Sequence, residues 1–401
     1  MYPRSKPLLA AFLAASCLSG LNGSALGQDA PAQRTGEAQR APDTRPLGEP
    51  NMAALIKGLG LIESSKPARD FIKGWRKPKK VIVMVDNNVH RIDWLKEVVP
   101  TDVQIVAVHS AGEAAKEAAD ADAEIGQCSK PLIAAAGPNF HWAHVNYAGV
   151  EGCFTGADTP ARLKDGSIAV SNTQRVTGNT VASHAIALML ALSRGLDRYV
   201  RMDEAGKFDT SPYPRLITLQ GKVILIAGLG GVGSAMANMA HGLGMRVIAT
   251  NGNVPANAPD WIEHIGLPNE LDSMVGQADI VMSALPLTPE TTGLFNAALF
   301  AKFKKGAMFV NVTRPAEQVD QDLAAALESG QLGSAAVDDP NVNSPLVHAR
   351  NMIFTPYVAS QDVDPDMVRG GETTWAVARE NLRRYVNGEK MLSVVDPAKG
   401  Y

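Results

Sequence analysis

Short apolar runs alternate with helical stretches in the first half of the body, which begins near Lys79. The apolar runs predict strands at 81–85, 103–108, 123–125 and 140–145, and the stretches between them predict helices at 91–99 and 111–121. Buried runs of this length, separated by helices, are typical of βαβ units. The pattern therefore predicts a parallel sheet.

A second alternating region follows. It predicts strands at 222–227, 245–249, 279–284, 308–312, 334–337 and 352–354, with helices at 231–243, 271–275 and 321–329. An amphipathic helix is predicted at 365–387. Two successive alternating regions indicate an α/β protein with two sheets.

A single long helix is predicted at 181–200, between the two regions. Its sequence is apolar on most faces, as in helices buried between layers or domains. One polar side chain on this helix, His184, is a candidate ligand. We interpret His184 instead as a hydrogen-bonded structural group, because an isolated histidine on a buried helix lacks partners for other chemistry.

The first 27 residues have the pattern of an export signal. Arg4 and Lys6 precede an apolar run at 8–21, and Ala25-Leu26-Gly27 fits the small-x-small rule for cleavage before Gln28. The run is shorter than the ~20 residues that span a bilayer comfortably. The sequence therefore predicts a cleaved signal peptide at 1–27, a periplasmic location and no stable membrane anchor.

The region after the signal divides into two parts. Residues 28–50 are rich in Pro, Ala, Gln and Arg, and such a segment cannot bury enough apolar surface to fold alone. We expect it to be a disordered tail. Residues 51–78 are more apolar and predict an N-terminal extension with one or two helices against the body.

Composition excludes several classes of protein. Of the 401 residues, 45% are hydrophobic and 20% are charged, as in ordinary globular proteins. The net charge of −3 provides no basic excess, which argues against a nucleic-acid partner bound by bulk charge. No histidine or cysteine spacing predicts a metal site. Cys128 and Cys153 remain after cleavage, and we expect two buried free thiols, although export permits a bridge.

A glycine-rich loop follows the apolar strand at 222–227 and opens the next helix. It reads Gly228-Leu229-Gly230-Gly231-Val232-Gly233, the pattern G-x-G-x-x-G in the strand–loop–helix context that gives it meaning. The first glycine permits a tight turn, the second lets the backbone approach a pyrophosphate, and the third allows close packing. This loop predicts binding of NAD or NADP.

The sequence leaves the choice between NAD and NADP open. The acidic residue that binds the ribose 2′-OH is expected ~20 residues after the loop, at the end of the next strand. That strand ends in Asn251-Gly252-Asn253. Asn251 can hydrogen-bond a hydroxyl, and it neither repels nor attracts a 2′-phosphate.

Several segments together resemble the D-isomer-specific 2-hydroxyacid dehydrogenases, in particular their glyoxylate/hydroxypyruvate reductase branch. The segments cover about 300 residues in the family's order. They are AGVEGC at 148–153, VASHAIALMLALSR at 181–194, LQGKVILIAGLGGVG at 219–233, ALPLTPETTGLF at 284–295, FVNVTR at 309–314, AAVDD at 335–339, NMIFTPYVAS at 351–360 and the closing ENLRRYVNGEKMLSVVDPAKGY.

The resemblance implies two Rossmann-like domains and a homodimer. The cofactor domain, at 181–359, is inserted into a flavodoxin-like substrate domain formed by 79–180 and 360–401. The resemblance also implies that the dimer is built through the cofactor domain. The residues that it implies for cofactor binding are Gly228, Gly230, Gly231, Val232, Gly233, Asn251, Leu285, Pro286, Thr313 and Asp338.

The family's chemistry uses an arginine that clamps the substrate and a histidine that is oriented by a glutamate. Arg314 stands at the arginine position, and its planar fork suits a 2-oxo acid. The histidine is replaced by Tyr357, and Asn341 or Asn343 takes the place of the glutamate. By resemblance, the backbone of Ala148, Gly149 and Val150 binds the substrate carboxylate, whereas Glu151 is expected to be merely exposed.

Tyr357 favours one direction of the reaction. Phenols ionise near pH ~10, so a neutral phenol is a ready proton donor and a poor base. The sequence therefore predicts slow reduction of a small 2-oxo acid by an NAD(P)-dependent enzyme, with Arg314 and Tyr357 as catalytic residues. The alternative is a non-catalytic protein that binds a dinucleotide or a carboxylate on the same fold.

Overall fold

The structure is a computed structural model that describes residues 44, 47–154, 158–211, 213, 216–255, 258–339, 341–361 and 369–401. The predicted signal peptide and nearly all of the predicted tail lie outside these residues. Within the described ranges, no helix is both long enough and apolar enough to cross a membrane.

The described elements are thirteen α-helices and twelve strands, with four short 3-10 helices between them. The helices are α1 Met52–Leu59, α2 Ala68–Phe71, α3 Arg91–Lys96, α4 Ala111–Glu117, α5 Lys130–Ala135, α6 Ala161–Lys164, α7 Gly178–Ser193, α8 Leu196–Glu204, α9 Gly231–Gly242, α10 Leu271–Met274, α11 Ala297–Phe300, α12 Asp320–Glu328 and α13 Arg369–Val386. The strands are β1 Lys80–Met84, β2 Gln104–Val108, β3 Ala123–Gly126, β4 Trp142–Val145, β5 Ala169–Asn172, β6 Val223–Ala227, β7 Arg246–Thr250, β8 Ile262–Gly266, β9 Ile280–Ser283, β10 Ala307–Asn311, β11 Leu332–Asp338 and β12 Met352–Thr355.

The first sheet has five parallel strands in the order β2-β1-β3-β4-β5, which is the flavodoxin-like order. Val81 and Val83 of β1 point to one face, where they pack with Trp375 and Leu382 of α13 in one core cluster. The C-terminal helix thus completes the first sheet's domain after the chain has built the second. This is the predicted insertion of one domain into another.

The second sheet has seven strands in the order β12-β11-β10-β9-β6-β7-β8. Starting from β6, this is the doubly wound Rossmann order with one additional strand. The strand order reverses between β6 and β9, where Ala227 and Ser283 pair at the carboxyl ends. In open α/β sheets, ligands bind in the crevice at such a switch point.

The predicted helix at 181–200 is two helices. α7 ends at Ser193, and α8 begins at Leu196 after Gly195, which has φ +64°. This left-handed conformation costs glycine little and breaks the helical path. α7 carries most of the apolar face and packs against α9 and the cofactor-domain sheet.

Several short elements are additional to those predicted from the sequence. They are α5, α6, α11, β5 and β8. β8 lies at the edge of its sheet, and its Glu263 and His264 are exposed, so the strand lacks a clear apolar run. β5 is fully buried but only four residues long.

The region before β1 packs on the body as predicted. Met52 and Leu55 of α1 contact the core cluster that includes α13. Leu47 contacts the same cluster, and Glu49 accepts hydrogen bonds from Arg379 of α13 at 2.8 and 2.9 Å. The last residues of the predicted tail are therefore attached to the folded body.

Cys128 and Cys153 form a disulfide, with their Cα atoms 5.5 Å apart. The expectation of two free thiols was wrong. It rested on the small number of cysteines, whereas the fold brings the loop after β3 next to the loop after β4. Parallel neighbouring strands end at the same edge of the sheet, which places both cysteines there.

Candidate active site

The glycine-rich loop has the geometry of a pyrophosphate cradle. Gly228 has φ +98°, and a Cβ on it would lie 2.6 Å from the carbonyl oxygen of Ala284. A Cβ on Gly233 would overlap the carbonyl oxygen of Gly228, so helix and strand pack closely there. A Cβ on Gly230, in contrast, would meet no atom within 4 Å. The loop is thus open at its middle glycine, beside the free N–H groups that begin α9.

Two neighbours support this loop. A Cβ on Gly231 would lie 2.7 Å from the Cα of Arg175, so the chain connecting the two domains crosses the start of α9 there. Val232 packs partly buried against the core. Asn251, at the end of β7, accepts a hydrogen bond from the N–H of Leu229 at 3.3 Å. The structure therefore brings Asn251 beside the loop, and its predicted contact with a cofactor ribose stays a prediction.

The neighbouring strand ends carry the other predicted cofactor residues. Leu285 and Pro286 follow β9, and Pro286 accepts a hydrogen bond from Thr291 Oγ1 at 2.7 Å. Thr313 follows β10 and donates its hydroxyl to Asn311 Oδ1 at 3.1 Å. These residues share the carboxyl edge of the sheet with the glycine-rich loop, because β9 lies between β6 and β10.

Arg314 forms an ion pair with Glu151 of the other domain. Arg314 Nε donates to Glu151 Oε1 at 2.7 Å, and its Nη1 donates to the carbonyl oxygen of Thr313 at 3.0 Å. A Cβ on Gly149 would overlap both Arg314 Nη2 and the Glu151 carboxylate. The pair therefore needs glycine at 149, and Glu151 is more than the exposed residue that was expected.

Arg314 carries a positive charge in the folded protein. Burial alone would lower the pKa of Arg314, but the attraction of Glu151 and Tyr357 outweighs burial, and the pKa lies above its usual value. Arg314 thus stays cationic and open to an anion, with its side chain 27% exposed. Tyr357 is near enough for its charge to act on the guanidinium.

The loop that carries Tyr357 is held by Asp338. Asp338 is buried and accepts hydrogen bonds from Thr355 Oγ1 at 2.6 Å, from Val358 N at 2.9 Å and from Ala359 N at 2.8 Å. Tyr357 itself has φ +58° and is 37% exposed. Asp338 is engaged in fixing this loop, and its predicted contact with a cofactor stays a prediction.

His184 belongs to the same network. Its Nε2 lies 3.1 Å from Thr355 Oγ1, which in turn donates to Asp338. The interpretation of His184 as a hydrogen-bonded structural group is confirmed. Its position on α7 links the buried helix to the base of the Tyr357 loop.

The other site residues that were predicted from the sequence lie in two places, the loop that carries Gly149 and an exposed turn after β11. The carbonyl oxygen of Ala148 accepts from Asn172 Nδ2 at 2.6 Å, and Val150 is buried, so both fix the loop that carries Gly149. Asn341 and Asn343 are exposed, and Asn343 N donates to Asn341 Oδ1 at 3.1 Å within their own turn. The structure does not bring either asparagine to Arg314.

Glu317 is a buried carboxyl group that the sequence analysis did not single out. It accepts a hydrogen bond from Ser283 Oγ at the end of β9, and Thr313 Oγ1 lies 3.4 Å from its carboxylate. Burial raises the pKa of Glu317 to about 8, despite opposing hydrogen bonds and the attraction of Arg314. No spacing in the sequence indicates that this glutamate is buried beneath the site.

These features define a class of protein. A Rossmann domain with an open glycine-rich loop faces a flavodoxin-like domain, and an arginine after a strand of the first meets a glycine loop of the second. Such an architecture is typical of a protein that binds a dinucleotide at the switch point of its Rossmann sheet.

Comparisons with known proteins find a family that part of the chain resembles. The family model described as "D-isomer specific 2-hydroxyacid dehydrogenase, NAD binding domain" matches residues 186–359. The hydroxypyruvate reductase of Blautia hydrogenotrophica is 33% identical over 208 residues, which are 49% of this chain and 63% of that protein. Over these residues the chain is similar to D-isomer-specific 2-hydroxyacid dehydrogenases.

Two solved structures share the fold of this chain. A family protein from Aeromonas salmonicida is 25% identical with a TM-score of 0.64, and the match covers 80% of this chain and 99% of that one. The NADPH-dependent glyoxylate/hydroxypyruvate reductase of Sinorhizobium meliloti, solved with NADP and sulfate, has the same fold at 22% identity, TM-score 0.64 and coverages of 80% and 100%. The chain spans between 30% and 63% of the curated relatives it matches.

Proposed function

We propose that the protein is an NAD(P)-dependent oxidoreductase that reduces a small 2-oxo acid. The observation that carries this proposal is the position of Arg314. It follows β10 at the carboxyl edge of the Rossmann sheet and reaches Gly149 of the other domain. A cation at this place, one strand away from β9 and two from the glycine-rich loop, suits an acid that lies beside a bound dinucleotide.

The residues present fit a dinucleotide. The open position at Gly230 leaves room for a pyrophosphate, and the first turn of α9 offers it N–H groups. Asn251 lies where a ribose is expected, and Leu285, Pro286 and Thr313 line the neighbouring strand ends. When bound in reduced form, the cofactor supplies a hydride. The choice between NAD and NADP is left to the experiment below.

The chain's own residues bind and orient the substrate. Arg314 and the N–H groups of the loop at 148–150 hold the carboxylate, and the phenol of Tyr357 donates the proton to the carbonyl oxygen. Asp338 positions Tyr357 by binding the Thr355 hydroxyl before it and the Val358 N–H after it. Loss of the usual histidine and glutamate predicts slow turnover, since a positioned acid–base group typically contributes 10²–10⁴-fold.

One titration and one substitution test this function. We expect NADH or NADPH fluorescence to report binding at micromolar or lower concentration, followed by a screen of small 2-oxo acids. Arg314→Ala should abolish oxo-acid reduction and leave dinucleotide affinity intact. No binding of either dinucleotide would mean that the loop is not used, and would favour the alternative of a carboxylate-binding protein without catalysis.

We also propose that the protein is an exported homodimer. The signal-like pattern of residues 1–27 supports export, and mass spectrometry of periplasmic protein should show a chain that begins at Gln28, as glutamine or as pyroglutamate. Exposed apolar side chains on α8 and after it support a dimer through the cofactor domain; these are Leu196, Tyr199, Val200 and Phe208. An intact N-terminus, or protein found only in the cytoplasm, would contradict export.

A further inference from the structure

The Glu151–Arg314 pair presents both signs of charge to one ligand. The side chains of Glu151 and Arg314 are 34% and 27% exposed, so each keeps part of its surface open to solvent. Arg314 Nη2 faces Gly149 and makes no hydrogen bond with any described residue. Glu151 Oε2 lies at the same glycine. A ligand over Gly149 therefore meets a cation and a carboxylate together.

The pair is electrically neutral as a unit. The described acidic groups that act on Arg314 are Glu151, Glu317 and the phenol of Tyr357. Burial raises the pKa of Glu317 to about 8, so at neutral pH it adds little charge. A 2-oxo acid carries one negative charge, which Arg314 attracts and Glu151 repels. A ligand with a carboxylate and an adjacent cation matches both groups.

We propose that the preferred substrate is a 2-imino acid in its iminium form, with its carboxylate on Arg314 and its C2 nitrogen beside Glu151. The proposal rests on the proposed function and names the substrate class of the same site. The nitrogen is placed at C2 because the two atoms that face the ligand are close neighbours: a Cβ on Gly149 would overlap both Arg314 Nη2 and Glu151 Oε2. A carboxylate and a cation that bind two such neighbouring groups fit best when they are joined through adjacent carbon atoms.

This substrate also explains the departure from the family's proton-transfer groups. A carbonyl oxygen needs a proton as it becomes a hydroxyl, whereas an iminium nitrogen already carries its protons. C2 accepts a hydride from the reduced nicotinamide dinucleotide, and the C=N π electrons become the lone pair of the amine. The products are a 2-amino acid and the oxidised dinucleotide, and the amine then takes a proton from water. Replacement of the histidine by Tyr357 removes no group that this reaction requires.

The first experiment compares two products in one reaction. Purified protein is incubated near neutral pH with NADH or NADPH, pyruvate and excess methylamine, and chromatography separates N-methylalanine from lactate. We expect N-methylalanine to predominate. Glu151→Gln should lower kcat/KM for the imine at least about tenfold and raise lactate formation, because the carboxylate that attracts the cation and repels the oxo acid is gone. Glu328→Gln, on the exposed face of α12, should match the unaltered protein.

The second experiment measures binding without turnover. Calorimetry compares alanine and lactate, each enantiomer separately, as product-like ligands of the protein saturated with oxidised dinucleotide. We expect alanine to bind at least about tenfold more tightly than lactate, and Glu151→Gln to reverse the order. Equal melting temperatures of the unaltered protein and of Glu151→Gln would show that both are folded.

The outcomes separate the inference from the function on which it rests. Predominant lactate, with a product ratio that Glu151→Gln does not change, overturns the imino-acid inference and leaves the oxo-acid reductase standing. Neither product, despite tight dinucleotide binding, overturns both. N-methylalanine that depends on Glu151 supports both, and tighter binding of alanine than lactate assigns the preference to the ligand's cationic nitrogen.

Discussion

Cys128 and Cys153 join two loops that meet at the carboxyl edge of the substrate-domain sheet. Their Cα atoms are 5.5 Å apart, and a Cβ on Gly152 would lie 2.6 Å from the carbonyl oxygen of Cys128. Cys153 is two residues from Glu151 and four from Gly149. The bridge therefore fixes the loop that faces Arg314, so the geometry of the site depends on the oxidation state of two cysteines.

Removing the bridge should weaken both the fold and the site. The cysteines are 25 residues apart, and closing a loop of this size contributes roughly 3 kcal/mol in the chain-entropy model. We expect Cys128→Ser with Cys153→Ser to lower the free energy of unfolding by about 2–4 kcal/mol, measured by urea denaturation. Substrate KM should rise more than kcat falls, because the loop loses its anchor and the chemistry is otherwise intact.

Reductant provides the matched control for this variant. Dithiothreitol should destabilise the unaltered protein by a similar amount and have no effect on the double variant. Equal stability of the oxidised and reduced proteins would contradict the role assigned to the bridge.

Glu317 should make stability depend on pH. Burial raises its pKa in the folded protein to about 8, above the ordinary value of 4.5. Between these values the folded protein holds a proton that the unfolded chain releases, so this contribution is complete below about pH 4.5 and is lost as pH rises toward 8. We expect the unaltered protein to lose up to ~1.4 kcal/mol per pH unit relative to Glu317→Gln. Urea denaturation at several pH values measures the difference, and a difference that is constant from acid to alkaline pH would count against the buried acid.

Much of the fold could be predicted from the sequence because its signals are local. The strands β1, β6 and β10 are compact apolar runs, and the glycine-rich loop stands directly between a strand and a helix. The strand β8 could not be predicted in the same way. It lies at the edge of the sheet with Glu263 and His264 exposed, so its sequence contains no continuous apolar run. The break at Gly195 carried a local signal, but the apolar composition on both sides concealed it.

The site was harder to predict from the sequence, because its contacts join residues that are distant along the chain. Arg314 and Glu151 are 163 residues apart, and nothing in the spacing of either residue indicates the other. The sequence does not distinguish Glu317 from a surface glutamate. Only the fold shows that it is buried and hydrogen-bonded to Ser283. The disulfide belongs to the same group, since it depends on which strands are neighbours. Arg314 and Tyr357, in contrast, were found from motifs that remain contiguous.

Tyr357 should control oxo-acid reduction through its hydroxyl proton. Tyr357→Phe should lower kcat for a 2-oxo acid by 10²-fold or more, the typical loss when a positioned acid is removed. Tyr357→His should raise kcat, because an imidazole ionises near neutral pH and can both donate and accept a proton beside Arg314. Steady-state kinetics with the best oxo acid from the screen measures both changes. A kcat for Tyr357→Phe equal to that of the unaltered protein would show that the proton comes from elsewhere.

The glycine-rich loop allows cofactor binding to be separated from folding. Gly230→Ala places a methyl group in open space at the cradle, so we expect weaker binding of NAD(P)H, by about tenfold or more, with an unchanged melting temperature. Gly233→Ala places the same group onto the carbonyl oxygen of Gly228, so the melting temperature itself should fall. Fluorescence titration and thermal unfolding measure the two effects. If Gly230→Ala binds the dinucleotide normally, the cradle lies elsewhere.

The exposed apolar side chains of α8 and the following segment should decide the oligomeric state. Val200 is 56% exposed and Phe208 is 95% exposed, and large apolar groups open to solvent at one place mark an interface. We expect Val200→Asp with Phe208→Asp to convert a dimer to a monomer in sedimentation equilibrium, because buried charges without partners oppose association. Val254→Asp is the control, since Val254 is similarly exposed at 57% but lies on the loop after β7 and not on α8 or the segment after it. A double variant that still sediments as a dimer would place the interface on another surface, whereas a monomeric unaltered protein would remove the proposed dimer altogether.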